Sequence, residues 1–332
     1  MKVNLHKLAR PSTWGWSASR RLAPVAAPVL ASLEKRLARR FCDTDAGRLP
    51  PVFIIGAPRT GSTIFYQVMT HFWDVAYVNN LDCVFHQEIL SAALLSRNLV
   101  GDAGHGSFTA WHGRTSGWHA PSECGQLWYR WFPADRHYVA GGELDAPSRE
   151  EMRRTVRALA GIKQRPIVFK NMNCGQRLQP LAEVFPDALF LHCRRDPLYV
   201  AQSLIESRER AHQNRDKWWS IRPKEYERLR QLTVPEQVVA QVYFIEQQIE
   251  SDLRQHFRGR SCEVGYEAFC SQPDRVLDEV REFLAEHGVD VGGPPRTDLD
   301  FIDSNNRQHI EDATFFALKE QVEHYFGRAA HG

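Results

Sequence analysis

Gly56-Ala57-Pro58-Arg59-Thr60-Gly61-Ser62-Thr63 gathers more chemical potential than any other short run in this chain. Two glycines let a backbone approach an anion closely, and Thr60, Ser62 and Thr63 supply hydroxyl donors. Arg59 adds a permanent charge on a planar donor fork that suits phosphate or sulfate oxygens. The apolar run Val52 to Ile55 precedes the loop, and apolar positions 64, 65, 68, 69 and 72 follow at helical spacing. The loop is therefore expected where a buried strand turns into a helix, whose free N–H groups and dipole both favour an anion. Against the pattern G-x-x-x-x-G-K-[ST], both glycines and Thr63 fit, but Ser62 stands where a lysine would reach β- and γ-phosphates. A different anion is expected, with Arg59 providing the charge. The plain alternative is an ordinary glycine turn.

A second candidate closes another apolar run. His192-Cys193-Arg194-Arg195-Asp196-Pro197 follows Ala188 to Leu191, and Ser203 lies two helical turns beyond Arg195. An arginine at a strand end and a serine on the next helix can grip a phosphate together. The alternative is a simple helix entry with Ser203 packed.

These two segments together resemble the superfamily of sulfotransferases that use 3′-phosphoadenosine 5′-phosphosulfate (PAPS), in its divergent bacterial-type members. Pro58 to Thr63 match the loop that holds the 5′-phosphosulfate there, and Arg195, Asp196, Pro197 and Ser203 match the pair that holds the 3′-phosphate. Weaker landmarks keep the same order: Phe185-Pro186-Asp187-Ala188, then Tyr266-Glu267-Ala268-Phe269, then Pro273 and Glu282-Phe283-Leu284. Lys170 sits where cytosolic members carry a lysine before the sulfuryl site. The resemblance implies PAPS as co-substrate, no metal, and a nucleotide site built from Arg59, Thr60, Gly61, Ser62, Thr63, Arg195, Ser203 and Tyr266. It also places Asn305-Asn306-Arg307 over the nucleotide, although the Arg-Lys-Gly-x-x-Gly segment of cytosolic members is absent.

The general base departs from the family. Met172 stands where cytosolic members have a histidine, and Asn79-Asn80 where other members have a glutamate. The local substitutes are Glu123 and His119, in an aromatic-rich stretch with Trp118, Trp128, Tyr129 and Trp131. Burial there would raise a carboxyl toward a useful base, and a histidine needs no such shift. Glu123 is the first choice, His119 the second, and Lys170 completes the catalytic set; Asp82, His86 and Glu88 are further candidates. The plain readings are a helix-start carboxylate capped with Ser122, and a packed histidine.

The elements that must position these residues are readable in outline. Strands are expected at 52–55, 166–170, 188–193 and 261–266, and helices at 64–72, 149–160, 178–185, 197–210, 235–256, 273–287 and 313–326. Alternating strands and helices argue for an α/β domain, a P-loop-like three-layer fold with a central parallel sheet flanked by helices. Residues 49–332 form this domain, with 74–147 an irregular substrate-side cap of loops and short helices. Residues 1–48 carry ten Lys/Arg against three Asp/Glu, a basic extension that reads either as a solvated lead-in or as a foot on an anionic membrane.

Composition bounds the rest. Lys plus Arg (42) nearly balance Asp plus Glu (40), so no global field recruits nucleic acid. Seven cysteines without Cys-x-x-Cys spacing suit reduced thiols in the cytoplasm, with peripheral contact at the inner membrane face as an option. The acceptor is expected to be a hydroxyl, on a glycan or glycolipid first and a small metabolite next. The competing readings are a P-loop kinase or ATPase, and a non-catalytic nucleotide-binding relative.

Overall fold

The computed structural model describes residues 32–100, 105, 108, 110–111, 114–293 and 302–327. Most of the basic extension, and residues 101–104 and 106–107 of the cap, lie outside the described residues. Residues 32–41 are helical, and the short helix Asp45–Arg48 follows, capped by Thr44.

Four parallel strands form the central sheet: β1 (Val52–Gly56), β2 (Val168–Lys170), β3 (Leu189–Arg194) and β4 (Ser261–Gly265), in the order β2-β1-β3-β4. The α/β architecture is the expected one. Register puts Phe53 beside Phe169 on one side and Phe190 on the other, and both ring pairs stack at 5.6 Å. Every residue of β1 and β2 is buried, as strands covered on both faces must be. A bridge from Ala76 to Ile167 extends the β2 edge.

The flanking helices are α1 (Ser62–Phe72), α2 (Ala146–Lys163), α3 (Leu178–Val184), α4 (Pro197–His212), α5 (Val234–His256), α6 (Pro273–Glu286) and α7 (Asp312–Val322). Prolines at the first turn open α2, α4, α5 and α6, where the missing N–H costs nothing. α5 packs against α3, α4 and α7, while α1 meets the short helix Tyr266–Ser271 through Phe65 and Phe269. Among the described residues no helix is long and apolar enough to cross a membrane.

The described residues of 74–147 include a longer helix than their composition suggests. Ile89–Val100 is a twelve-residue helix packed against α2, and only short helices and a small antiparallel ladder surround it.

Strand order fixes where a ligand can bind. From β1 the chain crosses to β2 on one side, then passes β1 again to reach β3 on the other. Such a reversal of direction between neighbouring strands is where open α/β sheets bind ligands, at the carboxyl ends of β1 and β3.

Candidate active site

The loop after β1 is shaped by backbone sterics. Gly56 has φ +145°, and a Cβ there would lie 2.3 Å from the Cys193 carbonyl oxygen. Gly61 has φ +80°, and its Cβ would meet Tyr266 Cδ2 at 2.3 Å. Arg59 itself takes φ +73°, a left-handed conformation that few side chains adopt. Thr60 Oγ1 donates to the Ala57 carbonyl at 3.0 Å and locks the turn. Gly61 is the N-cap of α1 and offers no side-chain cap, so the first N–H groups of that helix face the loop without help from their cap residue.

The Ala57 N–H is held from below. It donates to Glu246 Oε1 at 2.9 Å, and Glu246 Oε2 lies 2.7 Å from His192 Nε2. Burial pushes the Glu246 carboxyl up, but His192, the Ala57 N–H and Arg194 together outweigh it and leave it below its ordinary value. Sequence reading missed Glu246, because a glutamate inside a long helix gives no sign that it points beneath a loop some 190 residues earlier in the chain.

The segment after β3 reaches the same loop. Arg195 Nη1 donates to the Arg59 carbonyl at 3.0 Å, Nη2 to the Asn305 carbonyl at 3.2 Å, and Nε to Asn306 Oδ1 at 2.8 Å. Its guanidinium stacks over the Tyr266 ring at 4.5 Å. Arg59 Nε in turn donates to Ser203 Oγ at 2.9 Å. Among the described residues neither arginine has a carboxylate within ion-pair distance; Glu206, the nearest acid to act on Arg59, pairs with Arg210. Burial first, then the charges of Arg210 and Arg195, push Arg59 down to about 10. Burial likewise lowers Arg195. Two partly desolvated cations with neutral partners form a site that an anion would stabilise.

Asn305 and Asn306 accept hydrogen bonds from Arg195, and their segment is tied down further. The Asn305 N–H donates to Tyr266 Oη at 3.1 Å, and Asn306 Nδ2 to Glu267 Oε1 at 2.6 Å. Glu267, quoted above only as part of a landmark, accepts the Asp196 N–H as well.

Lys170 ends β2, 3% exposed, and its Nζ donates to Thr63 Oγ1 at 3.1 Å and to the Glu123 carboxylate. Ser62 Oγ contacts Met172 Sδ at 3.5 Å, so Met172 packs beside the loop. Glu123 therefore joins the loop and Lys170. Its side chain is one-third exposed and paired with a lysine instead of buried among aromatic rings.

The other candidates are elsewhere. His119 is held through its carbonyl by Tyr77 Oη at 3.0 Å, and lines a cavity of about 340 Å³ with His71, Asp74, Lys163 and Arg165. Asp82 is fully buried, capping the helix Asn80–Val84 while accepting Lys163 and Ser96 at 2.8 Å each. That makes it a scaffold carboxylate. His86 and Glu88 line an open groove with Tyr129.

The sulfotransferase family model matches residues 50–287, the span that holds the sheet, the loop and both strand-end arginines. The chain belongs to the sulfotransferase family. Solved sulfotransferases similar to it include STF1 from Mycobacterium tuberculosis H37Rv, at 14% identity and a TM-score of 0.48, with 88% of this chain and 81% of that one covered. STF9 from Mycobacterium avium matches at 15% identity and a TM-score of 0.45, over 86% and 70%. The sulfotransferase from Alicyclobacillus acidocaldarius matches at 18% and 0.41, over 83% and 94%. No curated protein matches this sulfotransferase-family chain.

Proposed function

We propose that this protein transfers a sulfuryl group from PAPS to an acceptor hydroxyl. The observation that carries the reading is the cluster of Arg59, Arg195 and Ser203, two cations without a carboxylate joined to one strand-end loop. The donor supplies an activated sulfur–oxygen bond, and transfer leaves 3′-phosphoadenosine 5′-phosphate.

Thr60, Gly61, Ser62 and Thr63 present backbone N–H groups and hydroxyls to the 5′ end of the nucleotide. Arg195 and Ser203 hold its 3′-phosphate, Arg59 adds charge to the 5′ loop while donating to Ser203, and Tyr266 keeps the Arg195 guanidinium flat beneath the Asn305–Asn306 segment. Glu123 accepts the proton of the acceptor hydroxyl, and Lys170, shared between Glu123 and Thr63, balances the negative charge that develops on the loop side.

The acceptor is a hydroxyl on a carbohydrate or glycolipid. An open groove of about 530 Å³ starts at Gln126, near Glu123 in the chain, and is lined by Tyr129, His86, Gln87, Glu88, Arg130 and Glu151. One aromatic face among hydrogen-bonding side chains is the pairing that holds a polyhydroxyl ring.

The test is sulfate transfer from labelled PAPS to a mixed glycan and phenol library, with Glu123→Gln as control. Label is expected in the glycan fraction and lost with the variant. Melting in the presence of 3′-phosphoadenosine 5′-phosphate should show stabilisation that ATP with Mg²⁺ does not give. The reverse pattern would turn the reading toward a kinase or ATPase.

A further inference from the structure

Glu246 reaches both halves of the site with one carboxylate. Oε1 accepts the N–H of Ala57, the first residue of the loop beyond β1, at 2.9 Å. Oε2 lies 2.7 Å from Nε2 of His192 on β3, and Arg195 follows His192 by three residues on the same segment. Both side chains are buried, so these contacts act where water does not compete for them.

The carboxylate stands on a fixed post. Ile245 and Ile249 of α5 are fully buried, and the Ile245 carbonyl accepts Gln176 Nε2 at 3.4 Å. A Cβ on Gly175 would lie 2.8 Å from Ile249 Cδ1, so α5 is pressed against the turn after β2 and cannot slide without unpacking. Arg194 closes the outer side, 3.9 Å from Glu246 Oε2 and paired with Glu250 at 3.0 Å and Glu263 at 3.3 Å.

We infer that Glu246 is a positioning residue that sets the spacing between the two anion sites, and thereby favours a nucleotide phosphorylated at both ends. The inference rests on the reading of this site as the seat of PAPS. Strand pairing alone does not fix that spacing, because the β1–β3 ladder ends at Gly56↔Cys193. Beyond it, the ties from Arg195 to the Arg59 carbonyl and from Arg59 to Ser203 use groups that the bound nucleotide also claims. The Glu246 contacts are made to Ala57 and His192, which take no phosphate, so they persist when the nucleotide is seated.

Spacing matters only to a ligand held at both ends. Once one phosphate is bound, the other meets its site at a high effective concentration, provided that the geometry matches. Adenosine 5′-phosphate and adenosine 3′-phosphate each use one site and are indifferent to the distance between the two.

The test is titration calorimetry of the full chain with these two nucleotides and with 3′-phosphoadenosine 5′-phosphate. The wild type should bind the bisphosphate about 100-fold or more tighter than either monophosphate. In Glu246→Ala that advantage should fall about tenfold or more, while each monophosphate stays within about threefold of its wild-type affinity. His192→Ala keeps the loop contact and removes only the β3 contact, so it should show the same pattern even where Glu246→Ala fails to fold. Glu246→Gln should restore the advantage, because its amide can accept the Ala57 N–H and donate to His192. Equal losses for the bisphosphate and adenosine 5′-phosphate would mean that Glu246 merely supports the loop, and overturn the inference. An undiminished advantage in Glu246→Ala or His192→Ala overturns it as well. A wild type that binds all three nucleotides alike overturns the reading of the site itself.

Discussion

Arg59 Nε donates to Ser203 Oγ at 2.9 Å, which ties the loop after β1 to the helix after β3. Arg195 closes the circuit by donating to the Arg59 carbonyl. Two segments separated by more than 130 residues are thus one hydrogen-bonded unit. Neither could present its charge at this spot without the parallel pairing of β1 with β3, which sets the two strand ends level from Val52↔Leu189 to Gly56↔Cys193.

Removing Arg195 should weaken binding of 3′-phosphoadenosine 5′-phosphate much more than binding of adenosine 5′-phosphate. A hydrogen bond to a charged group contributes about 1.5–3 kcal/mol, so Arg195→Ala is expected to cost roughly 10- to 150-fold in affinity. Ser203→Ala removes a neutral partner and should cost roughly 2- to 10-fold. Titration calorimetry with the two nucleotides checks this. Equal losses for both would mean that Arg195 only supports the loop.

Glu123→Gln keeps the shape of the side chain and abolishes its ability to take a proton. Transfer should drop about 100-fold or more, as for loss of a general base, while nucleotide affinity stays within about twofold. Lys170→Met should also lower turnover, because Thr63 and Glu123 both lose their shared cation. Single-turnover rates at saturating nucleotide separate these effects from binding.

Glu246 answers for the posture of the loop. Glu246→Ala leaves the Ala57 N–H and His192 buried without their acceptor, a loss of about 2–5 kcal/mol in urea unfolding. Its folded carboxyl lies below the ordinary 4.5, so the stabilisation is complete above pH 4.5 and disappears as pH falls through the lower folded value. Stability of the wild type should fall steeply below pH 4.5, and that of Glu246→Gln more gently.

His137 gives a second pH signature, at higher pH. Burial first, then the charges of Arg177 and Arg222, push it from 6.5 down to about 4, and its Nδ1 accepts the Arg222 N–H at 3.0 Å. The unfolded chain takes up a proton near pH 6.5 and the folded one only near 4. The contribution of His137 is therefore full above pH 6.5, declines between 6.5 and 4, and then levels off, a loss of roughly 3 kcal/mol at about 1.4 kcal/mol per pH unit. His137→Gln should flatten that window. A decline of the same slope in the variant would assign it to other groups.

Much of this architecture is written in local patterns. The strands and seven helices that position the loop show the right period and lie within a few residues of the expected bounds, because burial on both sheet faces forces apolar runs where β1, β2 and β3 are, while β4 is a half-exposed edge. Ile89–Val100 was harder to see, since Ser91, Ser96, Arg97 and Asn98 interrupt its apolar positions and its stability comes from packing on α2. Glu123 and Lys170 were visible as separate candidates and their pairing was not, because it depends on Asn171 Nδ2 and the 121–124 backbone meeting in space. Asp82 reads as a candidate carboxylate in the sequence, yet its partners, Lys163, Ser96 and the Asn79 N–H, make it part of the scaffold.

Gly61→Ala should show how closely the two anion sites depend on each other. The new methyl would sit 2.3 Å from Tyr266 Cδ2, and the φ of +80° adds strain of its own. Tyr266 must shift, and with it the stacking surface of Arg195 and the hydroxyl that accepts the Asn305 N–H. A change on the 5′ side of the nucleotide would then be felt at the 3′ side. The expected result is a loss of about 1–3 kcal/mol in stability, together with weaker binding of 3′-phosphoadenosine 5′-phosphate. Gly61→Ala combined with Tyr266→Ala should recover part of the stability, because the clash is gone, but not the affinity, because Arg195 has lost its platform. If the double variant binds the nucleotide as well as the wild type, Tyr266 does not orient Arg195, and the two sites are joined only through the Arg59 carbonyl.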